Sequence, residues 1–146
     1  MTDHNSPEAI EARKNQEDPI IMYLIVRESL GMSIGKTAAQ CAHASQMLML
    51  TFNEIEAKEI CDWASDFDIY KIFLFRSWLK ASFRKVVLKA DDKEWIKLKE
   101  AMEEHDVIVV DAGLTEFGGI PTKTCVALGP YDADSIDLIT GKYPLM

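Results

Sequence analysis

Ile20-Ile21-Met22-Tyr23-Leu24-Ile25-Val26 is the longest unbroken apolar run in the chain, and its reading decides the fold. A strand apolar on both faces belongs in the middle of a sheet that is covered on two sides. Seven residues are too few to cross a bilayer, which takes about 20. Downstream, Arg27–Met32 reads as a loop and Ser33 as the N-cap of a helix running from Ile34 to about Phe52. On that helix Ala38, Ala39, Ala42 and Ser45 form a small-residue surface predicted to approach the sheet closely. Lys36, Gln40 and His43, at i, i+4 and i+7, share one stripe near its start.

Further strands are expected at Lys85–Ala90, Val107–Val110 and Thr124–Leu128, the last stopped by Gly129-Pro130. Residues 54–83 read as a second helical stretch, broken near Ser65-Asp66-Phe67-Asp68. Asp91, with Glu94 three residues on, opens a helix that buries Trp95, Leu98 and Met102. Asp132–Ile139 is expected to form a short last helix. The order βααβαββα predicts a three-layer α/β domain, a four-stranded mixed sheet with helices on both faces. That domain would span 20–146, with an enlarged helical segment at 53–84. Residues 1–19, opened by a Ser6-Pro7 helix start, would be an acidic leader outside the core.

The 146 residues carry a net charge of −8, unevenly spread. Residues 71–99 hold nine basic and three acidic side chains, net +6, whereas residues 100–146 hold two basic and nine acidic, net −7. A basic zone on an acidic protein can still meet phosphates, although a solvated basic face explains it equally well. The first residues lack the apolar core of a secretory signal. Cys41, Cys61 and Cys125 are odd in number and show no CxxC spacing. A disulfide framework or structural zinc is therefore not expected, and a cytoplasmic, reducing location is.

Gly31-Met-Ser-Ile-Gly35-Lys36-Thr37 invites comparison with a nucleotide-binding P-loop but has three residues between its glycines where four are needed. Lys36 nevertheless stands at a helix N-terminus, where backbone N–H groups attract anions. Asp111, at the carboxyl end of a strand and followed by Ala112-Gly113, is either a base or water-orienting group or simply a turn-forming residue. Thr115, Thr122 and Thr124 flank the same loop. His43 reads most simply as a packed core histidine, and Cys41 as a small buried residue rather than a nucleophile.

Taken together, Val26-Arg27, Leu30-Gly31-Met32-Ser33-Ile34-Gly35-Lys36, Ala38-Ala39-Gln40-Cys41-Ala42-His43-Ala44, Lys85-Val86-Val87-Leu88-Lys89, Asp111-Ala112-Gly113 with Thr115, Gly129-Pro130 and Thr140-Gly141-Lys142 resemble the archaeal and eukaryotic type of peptidyl-tRNA hydrolase, Pth2. The resemblance covers residues 20–146. It implies hydrolysis of the ester between a peptide and the 3′ end of tRNA, with peptidyl-tRNA as partner and no cofactor or metal. It places Asp111, Lys36, Thr115 and His43 in catalysis, with Asp111 activating water and Lys36 steadying the oxyanion or the terminal phosphate. Gln40, Thr124, Gly113, Lys85 and Lys89 would bind substrate. A homodimer stays open beside a monomer, and no membrane association is implied.

The chain departs from that pattern at Leu114, where the family usually has Arg, at Glu116, usually Gln, and at Ile34, often Lys. Each charge change at 114 and 116 opposes an anionic ligand by about 1 kcal/mol. The loop from Thr115 to Thr124 is one residue longer than usual. Two other readings compete with a tRNA-ester hydrolase. One is a catalytically weak binding module, whose partner would meet exposed-looking Trp63, Phe67 and Trp78. The other is a hydrolase of a small ester or amide.

Overall fold

The structure is a computed structural model and describes residues 6–8, 20–81, 83–132 and 143–146. Strand β1 (Ile21–Arg27) leads through one 3-10 turn (Glu28–Leu30) into helices α1 (Ile34–Ile60) and α2 (Asp66–Ala81). Strand β2 (Lys85–Ala90), helix α3 (Asp92–Ala101), strand β3 (Val107–Asp111) and strand β4 (Thr122–Tyr131) follow. The strand order is β2-β1-β4-β3. β1 pairs parallel with β2 and antiparallel with β4, which pairs antiparallel with β3. The expected mixed, four-stranded α/β sheet is present. The expected helix over Asp132–Ile139, most of the leader and the Thr140-Gly141-Lys142 motif lie outside the described residues.

The doubly apolar strand takes the place its composition requires. Met22, Leu24 and Val26 of β1 pack with Ala44, Leu48, Phe52 and Phe75 under α1 and α2. Tyr23 and Ile25 face the other way, into Leu88, Trp95, Leu98 and Leu128 under α3. Helices thus cover both faces. The two edge strands differ: Lys89 N donates to Pro144 O and Met146 N to Val87 O, so the chain end covers the outer edge of β2. Among the described residues, β3 has no neighbour beyond β4.

Several boundaries move for physical reasons. Helix α1 runs past Phe52 because the buried spacing Gln40, Ala44, Leu48, Phe52, Ile55 continues unbroken. That stripe, and not the small-residue surface, faces the sheet; Ala38, Ala39 and Ala42 are exposed. The break between helices falls at residues 61–65. Ser65 and Asp68 are a capping pair that starts α2, with Asp68 N donating to Ser65 Oγ and Ser65 N to Asp68 Oδ2. Strand β4 passes through Gly129-Pro130 to Tyr131, and a register shift opposite Ile21–Tyr23 absorbs the proline's missing donor. Trp78, read as exposed, is buried: its Nε1 donates to Arg84 O at 2.9 Å, and its ring packs on Phe75 and Phe83. Phe67 is half-buried and stacks on His105. Trp63 remains exposed.

Lys71 of α2 is 1% exposed, and its Nζ has no hydrogen-bond partner. The ammonium rests on the Tyr131 ring, 4.6 Å from its centroid. Burial drives its pKa down despite the attraction of Asp106 and Glu103. The unfolded chain therefore binds the Lys71 proton more tightly than the folded one. Parent stability should rise with pH toward the ordinary lysine value, about 10.4. Lys71→Met is expected to gain about 1–3 kcal/mol at neutral pH and to lose that pH-dependent rise. Urea denaturation at pH 7 and 9 reads both effects.

Candidate active site

Three segments meet at the carboxyl ends of β1 and β3. Gly31, left-handed at φ 55, turns the chain after β1 so that Ser33 can cap α1, its Oγ accepting from Lys36 N at 3.2 Å. The first turns of α1 then present Lys36 and Gln40 on one side. Strand β3 ends at Asp111, and the loop after it folds back on itself: Gly119 N donates to Gly113 O at 2.7 Å. A Cβ at Gly113, which has φ +78, would stand 2.3 Å from Ile120 O, so only glycine fits there.

Asp111 is the hub. Its Oδ2 accepts from Lys36 Nζ at 2.8 Å and from Gln40 Nε2 at 3.0 Å, and its Oδ1 accepts from Gly113 N at 2.8 Å. Lys36 Nζ also donates to Thr115 Oγ1 at 3.0 Å and lies 5.5 Å from the Phe117 ring centroid. Behind this layer Thr124 Oγ1 donates to Gln40 Oε1 at 2.6 Å. The Lys36 ammonium, aided by the Gly113 N–H, holds the Asp111 carboxyl below the ordinary carboxylate range. Asp111 is therefore ionised at neutral pH. Two of the three ammonium protons on Lys36 are engaged and one is left over; a carboxylate with about four acceptor positions and three donors has one left for water.

The other residues expected at the site stand at different distances from Asp111. Gln40 and Thr124 are 1% and 0% exposed and lie behind the Asp111 carboxylate. His43 is exposed and makes no hydrogen bond to Asp111; it is neither a packed core residue nor a member of the carboxylate's shell. Lys85 pairs with Met22 at the opposite end of the sheet, about 16 Å away along the strands, where its Nζ donates to Phe83 O. Lys89 lies at the correct end but on β2, about 14 Å to the side, paired with Glu28 at 3.2 Å.

Glu116 has a structural partner as well as a charge. Its carboxylate accepts from Ser33 N at 3.3 Å and from Ser33 Oγ. It thus lies against the N-terminus of α1, where a negative charge is favoured, and ties the loop to the helix. Leu114 is 86% exposed. Sequence reasoning missed the tether between Ser33 and Glu116 and the aromatic floor at Phe117. A Phe in a glycine-rich loop two residues after Thr115 was the available signal for the second.

Asp68, Glu104 and His105 have ligand atoms within 4.8 Å of one another, but they sit at the far end of β3 from Asp111. Asp68 there already accepts from Ser65 N, and its other oxygen lies 2.7 Å from His105 Nε2. No helix of the described residues is long and apolar enough to cross a membrane.

Comparison with known proteins fits this geometry. Residues 20–146 match the model of a family described as Peptidyl-tRNA hydrolase PTH2. A peptidyl-tRNA hydrolase of Methanopyrus kandleri is 36% identical over 132 aligned positions, covering 84% of this chain and 95% of that protein. Those of Thermoplasma acidophilum and Thermococcus onnurineus are 32% and 33% identical, covering 86% and 84% of this chain and 97% and 94% of theirs.

Proposed function

Because the chain belongs to the PTH2 family of peptidyl-tRNA hydrolases, we propose that it cleaves the ester joining a peptide to the 3′ end of tRNA, at Asp111. The observation that carries this reading is the ionised Asp111, held by Lys36, Gln40 and Gly113 with one acceptor position left for water. A carboxylate of lowered pKa is a weak base, so Asp111 chiefly orients the water and takes its proton as attack proceeds. Water adds to the ester carbonyl carbon, and the remaining Lys36 proton meets the oxygen on which charge develops. The bond to the ribose oxygen then breaks, and the proton held by Asp111 passes to that leaving oxygen. The products are a free peptide carboxylate and tRNA with its hydroxyl restored.

Thr115 holds the Lys36 ammonium in place, and Gln40 and Thr124 fix the orientation of the carboxylate. His43 serves from the rim, with a smaller share than Asp111. The reaction needs no metal in this reading, because Lys36 already supplies the positive charge at Oδ2 and the other oxygen is taken by a backbone N–H. A substrate produced by translation suits a cytoplasmic location.

Hydrolysis in H₂¹⁸O tests the reading. The label is expected in the released peptide carboxylate, with none in the tRNA hydroxyl and none in Asp111 after a single turnover. Label in Asp111 would show that the carboxylate attacks the ester itself.

Leu114 is 86% exposed on the loop beside Asp111, where a basic side chain could meet phosphate. Leu114→Arg is expected to tighten binding of uncharged tRNA about fivefold at low salt and to steepen its salt dependence by about one released ion. Filter binding across a salt series reads both.

A further inference from the structure

The helical stripe that delivers Lys36 and Gln40 to Asp111 does not end there. It continues along α1 as His43, Met47 and Leu50, at successive spacings of three, four and three residues. Opposite that continuation lies β3, whose outer edge is open among the described residues. Between them runs a cavity of about 420 Å³, lined by His43, Gln46, Met47, Leu50 and residues 108–110. Leu50 and Val110 are 56% and 57% exposed, although each borders this apolar groove. Val110 is the residue immediately before Asp111.

We infer that the groove between α1 and the free edge of β3 is the subsite for the peptide moiety, which it takes as an extended, apolar strand added to β3. This rests on the hydrolase reading above, because an ester placed at Asp111 fixes where the peptide must start. The esterified residue is the last of its peptide. The chain behind it therefore leads from Asp111 back along β3 toward Ile108 and runs parallel to β3. Main-chain groups pair with the open edge, and alternate side chains meet the Met47 and Leu50 stripe. From His43 to Leu50 the helix rises about 10 Å, the length of about three extended residues.

Contrast between the two edges supports the occupant. The outer edge of β2 is closed by the chain's own residues 144–146, whereas among the described residues the edge that leads away from Asp111 is unpaired and apolar. An exposed apolar edge invites aggregation unless something covers it, and a bound peptide does so only during turnover. The groove also gives His43 a place. It stands one turn beyond Gln40, at the mouth nearest the ester.

The test compares two substrates on one tRNA that share the esterified residue. One carries a single N-acetylated amino acid and the other an N-acetylated tetrapeptide of apolar residues. The parent is expected to favour the tetrapeptide by about tenfold in kcat/KM, chiefly through KM. Leu50→Glu, and independently Val110→Lys from the strand side, should bring that ratio close to one. Ile96→Glu, on the exposed side of α3, should leave it at the parent value. N-methylation of the peptide's second amide should also remove the preference, since strand pairing needs that donor. A parent without preference, or a Leu50→Glu variant that keeps it, overturns the subsite. A folded parent that releases tRNA from neither substrate overturns the hydrolase reading beneath it and the subsite with it.

Discussion

Asp111→Asn is expected to slow tRNA release by about a thousandfold or more, with KM changed by less than about threefold. The amide matches the carboxylate in shape but carries no charge and cannot take a proton from water. It also turns an NH₂ group toward donors, since Lys36, Gln40 and Gly113 all donate to this side chain. Replacing Oδ2 mismatches Lys36 and Gln40 and replacing Oδ1 mismatches Gly113 N, so one or two mismatched donors and a lost base together account for a loss of that size. KM holds because Asp111 faces the water and not the RNA. Steady-state kinetics on an N-blocked aminoacyl-tRNA measures both, and unchanged circular dichroism shows that the fold is intact. A loss carried by KM would instead make Asp111 a binding group.

Lys36→Met is expected to lower kcat by about two to three orders of magnitude, because the charge that meets the developing oxyanion is gone. The same substitution has a second, independent signature. The ammonium is the main cause of the depressed Asp111 pKa, so removing it raises that pKa. By carboxyl NMR, Asp111 of the parent should titrate below the ordinary value of about 3.9, and the variant should titrate higher. The sign for stability follows. A depressed carboxylate pKa stabilises the fold above the unfolded value, and that contribution fades as pH falls toward the folded one. The parent should therefore lose more stability than Lys36→Met between neutral pH and about pH 3. Equal titration of Asp111 in both proteins would remove Lys36 from this role.

Much of this architecture is legible in the residues. The doubly apolar Ile20–Val26 run dictates a central strand, and helical spacing alone puts Lys36 and Gln40 on one side of α1. What spacing cannot supply is which of several polar neighbours a side chain will choose. Glu116 reads as a charge opposed to RNA, and its tie to Ser33, the N-cap of α1, is a contact 83 residues apart that spacing does not reveal. Nor does spacing show that β4 buries Thr124 behind Gln40, its hydroxyl donating to the amide oxygen. Lys85 and Lys89 share a strand and a charge, but register places one at the far end of the sheet and strand order places the other three strands from β3.

Local signals also misled where tertiary packing decided the outcome. Gly129-Pro130 stops an isolated strand, but here the flanking residues pair on regardless. Alanines on α1 suggested a close approach to the sheet, whereas the buried stripe is the one carrying Leu48, Phe52 and Ile55. Trp78 looked available to a partner because nothing in its neighbourhood marks it as core. Its ring fills the gap between α2 and the chain entering β2, which leaves less exposed aromatic surface for the binding-module reading.

The measurement that bears most directly on the central claim is release of free tRNA from N-acetyl-aminoacyl-tRNA by the parent chain at low and at moderate salt. Turnover at both is expected of a peptidyl-tRNA hydrolase, with KM rising with salt as phosphate contacts are screened. A well-folded parent that releases no tRNA at either salt would contradict that claim.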